Sequence, residues 1–363
     1  MKIAIWTYVS SPHQNDFFDA LRKEGVDLCV RYCFPTLTDR LQQGWKIPEL
    51  KAGEAILQHG VDIFFAIPDW RKHIHIIAGY GLPSLRRVIW RLHTEKVPWV
   101  HWSEHPNVGF KRYFMHPIRM LYAQLINHTA LGALAISQLA ARSFVSWGVR
   151  PDRIAILPYS VAPPVFSESD LQCKDFMAGK KVFLFVGRLD YNKGAHILLH
   201  AFRKVISERT DWILLLVGTG NNTDNLKKLA VQLGICKQVL FRGQVPSDKI
   251  GNILSLASVL VTPTILKDGW GVVLNEAAAM GLPLIASHHV GAGYHLIDPG
   301  VNGYRVIAGS VESLAEAMQV YMRNPDLIAV HGAASRRIFS QYTPECNAQR
   351  LINILGSWTA LRQ

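Results

Sequence analysis

The sequence predicts an α/β protein made of two Rossmann-like parallel-sheet domains, and three observations predict it. Strand-like and helix-like segments alternate along almost the whole chain, the pattern of parallel sheets covered by helices. The alternation breaks once, over APPVFSESDLQCKDFMAGKK at 162–181, a polar stretch without a period, and then begins afresh. The 363 residues also exceed what one hydrophobic core usually organises. The expected division is an N-terminal domain over 1–165 and a C-terminal domain over 176–344, with a last helix at about 345–363 packing back on the first domain.

The elements follow in order. KIAIWTYV is a buried strand, followed by a loop, the amphipathic helix NDFFDALRKEG and the strand VDLCVRYC. DIFFAIPD, VPWVHWS, ALAISQLAARSFVSWGV and RIAILPYSV continue the first series. After the break come KVFLFVG, a helix around HILLHAFRKVISER, WILLLVG, a helix around TDNLKKLAVQLG, QVLFRG, a helix around KIGNILSLA, and VLVTPT. In ILKDGWGVVLNEAAAMGLPLIAS, residues 265–287, the alanine run favours helix and Gly281 suits a left-handed C-terminal position. Val272, Val273, Ala277 and Met280 give that helix its expected apolar face, and LPLIAS starts a new strand.

Composition narrows the partners. Hydrophobic residues make up 49% and charged residues 18%, which fits a globular chain and not a disordered one. A net charge of +12 argues for an anionic partner: phosphate ligands, nucleic acid or an acidic membrane surface. The five cysteines have no metal spacing, and an odd count suggests reduced thiols and a cytoplasmic chain. No apolar run reaches the ~18 residues of a membrane helix. Residues 71–119 hold nine Lys or Arg against two acids, Glu95 and Glu104, interleaved with apolar residues in LRRVIWRL and GFKRYFMHPIRMLY. This pattern suits an anionic lipid surface, with an anionic glycan or a simply solvated face as the alternatives; no recognition module for nucleic acid accompanies it.

Open α/β sheets bind ligands beyond the carboxyl ends of their strands. Four segments of the second half meet there. In VFLFVGRLDYNKGAHILL, Gly187 ends a strand, and Arg188 and Lys193 precede a helix starting near Gly194. Two cations beside a helix N-terminus make a diphosphate clamp, or else they are two solvated loop charges. Gly218 and Gly220 form a G-x-G at the next strand end, equally a plain turn. Backbone groups near Gln244 and Val245 could read a base edge, or form an ordinary loop closed by Pro246. In the fourth segment, Asp268 precedes a helix and Glu276 sits about one turn inside it, with Gly269, Trp270 and Gly271 between them. Asp268 is a candidate helix cap or ligand; Glu276 is a ligand or part of a solvated face.

GRLDYNKG, LLLVGTG, FRGQVP, PTILKDGWGVVLNEAAAMGLPLIAS and VGAGYHLIDPGVNGYRV, together spanning about 181–306, resemble the C-terminal half of family 4 glycosyltransferases, retaining enzymes of the GT-B fold. The first half matches only in outline. The resemblance implies a GT-B architecture, two Rossmann-like domains facing an interdomain cleft. It also implies sugar transfer from a UDP- or GDP-linked donor to a glycan or lipid-linked glycan acceptor in surface polysaccharide or lipopolysaccharide synthesis. The acid-x7-acid motif falls on Asp268 and Glu276, so Glu276 takes the ribose hydroxyls and Asp268 the donor sugar. Gly269, Trp270, Gly271 and Val272 lay backbone N–H groups against sugar and phosphate. Aspartate replaces the commoner glutamate at 268, and its shorter reach bears on which sugar hydroxyl is held.

Arg188 and Lys193 then offset the charge growing on the leaving diphosphate, and neither a metal nor another cofactor is expected. SSPHQN at 10–15 lacks the glycines that relatives often carry; His13 and Gln14 are acceptor-side candidates or part of a solvated loop. Glu104 and His105 end the strand VPWVHWS; by the resemblance they compete for a catalytic place facing the donor sugar, or else form a satisfied structural pair, while His101 is expected to be buried. Peripheral contact with the inner face of the membrane is the corresponding expectation for the basic region. Two rivals share this architecture. A nucleotide-sugar epimerase needs an acid/base set that does not stand out. A non-catalytic nucleotide-sugar-binding subunit is at odds with the retention of Arg188, Lys193, Asp268 and Glu276.

Overall fold

A computed structural model describes residues 1–35, 49–57, 67–104, 111–166, 179–206 and 211–361. The chain divides into two compact units, residues 1–161 with 342–363, and residues 162–341.

The first unit carries seven parallel strands: β1 (Lys2–Thr7), β2 (Asp27–Tyr32), β3 (Glu54–Ile56), β4 (Ile74–Ala78), β5 (Trp99–Ser103), β6 (Gly132–Ala135) and β7 (Ile154–Ile156). They are ordered β3-β2-β1-β4-β5-β6-β7, with register such as Ile3↔Leu28 and Ile3↔Ile74. Ile3, Ala4, Ile5 and Trp6 are fully buried, because a parallel sheet covered on both faces leaves no polar side.

Central strand β4, IHIIA, and the short β3 are absent from the sequence reading. His73 and His75 interrupt the apolar run of β4, yet both are buried. The Trp6 indole N–H donates to His75 Nδ1 at 2.9 Å, so the ring's proton sits on Nε2, which donates to the Trp70 carbonyl at 2.8 Å. Burial pushes the His75 pKa down to about 4, keeping the ring neutral. The strand expected at DIFFAIPD lies largely outside the described residues.

The loop expected at residues 10–15 is helical from Pro12 onward: the helix runs Pro12–Lys23, opened by proline in its first turn. The last helix, Pro344–Ala360, packs on Pro12–Lys23, and Asn347 Nδ2 donates to the Pro158 carbonyl. Its Trp358 lies so close to Gly132 that a Cβ there would stand 2.7 Å from the indole.

The second unit carries six parallel strands: β8 (Lys181–Val186), β9 (Trp212–Val217), β10 (Val239–Gly243), β11 (Val259–Thr262), β12 (Leu284–Ser287) and β13 (Gly303–Val306), ordered β10-β9-β8-β11-β12-β13. Phe183, Leu198, Phe202, Trp212, Leu214 and Met318 belong to its core. Strand order reverses between β8 and β11, which opens a crevice at their carboxyl ends. In the helix Val273–Met280 the buried residues are Leu274, Asn275, Ala277 and Ala278, whereas Val272, Val273 and Met280 are half-buried. Of the expected apolar face only Ala277 is fully buried; Leu274, Asn275 and Ala278 take the other core positions.

Candidate active site

The site is built at the β8/β11 switch point of the second unit. From β8 the chain passes Gly187 and Arg188, makes a short 3-10 turn over Tyr191–Lys193, and enters the helix Ala195–Ile206. Asp190 caps that turn by accepting from the Lys193 N–H at 3.1 Å, and its other oxygen lies 3.2 Å from Arg188 Nη2. Asp190 thus shapes the turn that presents both cations, a role the sequence reading missed. Its signal was the aspartate three residues before Lys193, the spacing of a side-chain cap.

Lys193 Nζ lies 2.5 Å from Asp268 Oδ2, both side chains about one-quarter exposed. This ion pair joins the segments after β8 and β11. Asp268 does not cap the helix: the cap position is Val272, with no side-chain bond. Its N–H donates to the His289 carbonyl at 2.8 Å, and its carbonyl accepts from the Gly291 N–H at 3.3 Å. The segment after β12 therefore buttresses it from behind.

The Gly269-Trp270-Gly271 turn divides its labour. The Trp270 side chain is buried, and its indole N–H donates to Asn275 Oδ1 at 2.6 Å, so the side chain anchors the turn from inside. Gly271 takes φ +93°, open to glycine. Gly271 and Val272 lie at the N-terminal end of the helix Val273–Met280, the end at which backbone N–H groups carry the positive pole of the helix dipole. Replacing Trp270 with phenylalanine is expected to cost about 1–3 kcal/mol, since Asn275 loses this donor inside the core. A urea denaturation curve measures it.

Glu276 lies in the first turns of the helix, half-buried, not on a solvated face. No hydrogen bond or ion pair holds its carboxyl among the described residues, and desolvation pushes its pKa up to about 7. A carboxylate short of donors in a protected place is suited to receiving hydroxyls.

Gly218 serves packing: a Cβ there would meet the Gly187 carbonyl oxygen at 1.9 Å. Gly194, at φ +75°, leaves only 2.1 Å between such a Cβ and the Pro263 carbonyl oxygen. It lets the β8 loop close on β11. Gly194→Ala is expected to cost ~1–3 kcal/mol and to part these two loops, which a melting curve together with nucleotide titration would register. Val245 is half-buried just past β10, and the neighbouring Gly243 carbonyl accepts from the Gly218 N–H at 2.8 Å. Beside Arg188 lies an open cavity of about 570 Å³, lined by Asp190, Tyr191, Asn192, Asn222 and Asn225.

In the first unit, His13 and Gln14 occupy the first turn of a helix after β1, not a solvated loop. Ser11 Oγ donates to Gln14 Oε1 at 2.9 Å, and the His13 ring stands 5.0 Å from Tyr159. Glu104 is exposed just past β5. His105 lies outside the described residues. His101 is fully buried between Tyr122 Oη and Ser103 Oγ, at 3.0 and 2.8 Å, and burial pushes its pKa down to about 3. Among the described residues no three His, Cys, Asp or Glu side chains gather as a metal-binding group, and no helix is long and apolar enough to cross a membrane.

Two parallel-sheet units, one with Arg188, Lys193 and a helix N-terminus gathered at its switch point, define a doubly wound α/β protein. Residues 168–344 match the family described as Glycosyl transferases group 1, just under half the chain. An uncharacterized glycosyltransferase of Methanocaldococcus jannaschii is 36% identical over 150 residues, 41% of this chain and 34% of that protein. A GDP-mannose-dependent monoacylated alpha-(1-6)-phosphatidylinositol monomannoside mannosyltransferase of Corynebacterium glutamicum is 28% identical over 214 residues, 57% of this chain and 55% of that one. The chain thus spans about a third of the length of the first relative and just over half of the second. The crystal structure of Anabaena Alr3699/HepE in complex with UDP superposes with a TM-score of 0.77 at 19% identity, covering 98% of this chain and 100% of that one. At that identity the likeness shows the fold, which is that of GT-B glycosyltransferases, and the second unit is similar to the group 1 domain.

Proposed function

We propose that the protein is a retaining, metal-independent glycosyltransferase. It takes a sugar from a UDP- or GDP-linked donor and passes it to a glycan or lipid-linked glycan acceptor in surface polysaccharide synthesis. The observation that carries this reading is the Lys193–Asp268 pair at the switch point of the second sheet. The similarity to Glycosyl transferases group 1 over 168–344, the UDP bound by the Anabaena protein and the GDP-mannose named for the Corynebacterium one all support it.

The roles follow from charge. As the glycosidic bond breaks, negative charge grows on the diphosphate, and Arg188, Lys193 and the N–H groups of Gly271 and Val272 stabilise it. Asp268, oriented by Lys193, accepts hydroxyls of the donor sugar. Glu276 accepts the two ribose hydroxyls, and backbone groups at Val245 read the base. Acceptor binding falls to the first unit, where His13 and Gln14 are the candidates; Glu104 and His105 are the candidates for the catalytic place facing the donor sugar. The leaving phosphate itself takes the acceptor's proton on the same face, so no side chain is assigned as base. The basic region at 71–119 rests on an anionic leaflet in the cytoplasm.

Calorimetry with UDP, GDP and ADP, followed by NMR of the product's anomeric configuration from the best donor, tests the reading. Micromolar binding of one diphosphate and a retained configuration are expected. No binding of any of the three, or an inverted product, sinks it.

A further inference from the structure

The helices Pro83–Thr94 and Lys111–Thr129 of the first unit flank an apolar cavity of about 320 Å³, within the size range of small-ligand pockets. One face of each helix lines it: Ile89, Trp90 and His93 from the first, Ile118, Tyr122 and Leu125 from the second. Tyr80, stacked on Tyr122 at 4.4 Å, completes the wall.

The cavity is continuous with exposed apolar surface, since Trp90 is 67% exposed and Ile118 52%; Leu121 nearby is 74% exposed. A rim this apolar marks an interaction site. Its charge selects the occupant. Arg71 and Arg91 pair with Glu95, and Lys72 with Asp69. Arg86, which lines the cavity, and its neighbour Arg87 are exposed, with no acidic partner among the described residues. A second copy of this chain packed on this face about a twofold axis would bring like charges together, which opposes association. An anionic lipid meets both features at once.

We propose that this cavity takes one acyl chain of an anionic membrane phospholipid, with Arg86 and Arg87 at the headgroup and Trp90 at the level of the interface. The indole suits that position because it joins an apolar body to a polar N–H. Each methylene drawn into the cavity strengthens binding about fourfold, and the cations add selectivity for negative headgroups. The inference deepens the membrane part of the reading above. It is tested without nucleotide, so its failure leaves the transferase reading standing.

The test uses the full chain and vesicles of phosphatidylglycerol brominated on the acyl chains, with tryptophan emission as the readout. Quenching is expected in the wild type and is lost in Trp90→Phe. Ile118→Asp, at a half-exposed position that spares the core, weakens vesicle binding at least tenfold while the melting temperature holds. Replacing Arg86 and Arg87 with glutamine removes the preference for phosphatidylglycerol over phosphatidylcholine. Three results overturn the proposal: vesicle binding without bromine quenching, which leaves surface charge alone; a lipid-free dimer that Ile118→Asp dissociates; or displacement by a polyprenyl phosphate at a tenth of the phospholipid concentration, which assigns the cavity to an acceptor.

Discussion

Glu276→Gln is expected to weaken UDP or GDP binding ten- to a hundred-fold at pH 8 while raising the melting temperature. The loss follows from removing a charged acceptor of two hydroxyls, at roughly 1.5–3 kcal/mol. The gain follows from desolvation. The carboxyl moves from an ordinary 4.5 up to about 7 in the folded chain. Between those values the folded state holds a proton that the unfolded state has lost, so stability falls as pH rises through that window and the deficit is complete above it. A shift of that size corresponds to roughly 3 kcal/mol, relieved when glutamine removes the charge. Stability sacrificed at a binding residue is the usual mark of a functional site.

The same carboxyl sets a pH dependence for the ligand. Hydroxyl donors favour the ionised form, so affinity should climb as pH passes from 6 to 8 and level off above. Glutamine at 276 should flatten that rise, and comparison with the wild type cancels the titration of the nucleotide's own phosphates. Calorimetry at several pH values, alongside melting curves, measures both effects. Equal UDP affinity in the two proteins at pH 8 would remove Glu276 from the site.

Lys193→Ala should lower kcat/KM for the donor by 10²- to 10³-fold, the range seen when one preorganised charge-stabilising donor is lost. Its ammonium is expected to act on charge that develops as the diphosphate leaves, so kcat should carry most of the loss. A second effect follows from the 2.5 Å contact: without the ammonium, Asp268 loses its ion-pair partner. Lys193→Ala and Asp268→Asn should therefore combine non-additively, the double variant losing less than the product of the single losses. Initial rates for the four proteins complete the cycle. Strict additivity would mean that the two side chains do not act together.

Much of the second unit was legible because its signals are local. KVFLFVG and WILLLVG are short apolar runs ended by glycine, and the helix over the alanine run is closed by Gly281 at φ +77°. The first unit was harder to read. Strand β4 hides behind two histidines that become apolar in effect only when Trp6 and Trp70 satisfy His75. The helix entry at Pro12 was hidden by the polar run SSPHQN, which reads equally as loop. Asn275 looks like a surface position, yet it is buried as the acceptor for Trp270.

The amino-acid order alone determined the alternation of strands and helices, the placing of two cations before one helix and two acids around another, and the basic stretch at 71–119. Each depends on residues within a turn or two of one another, or on plain composition. Only the tertiary structure decided that Lys193 meets Asp268, 75 positions away in the chain. It also decided that Trp270 supports the turn from within and that Glu276 is desolvated. Such pairings and burials arise when strand order brings distant segments to one edge of a sheet, and no local pattern encodes that order.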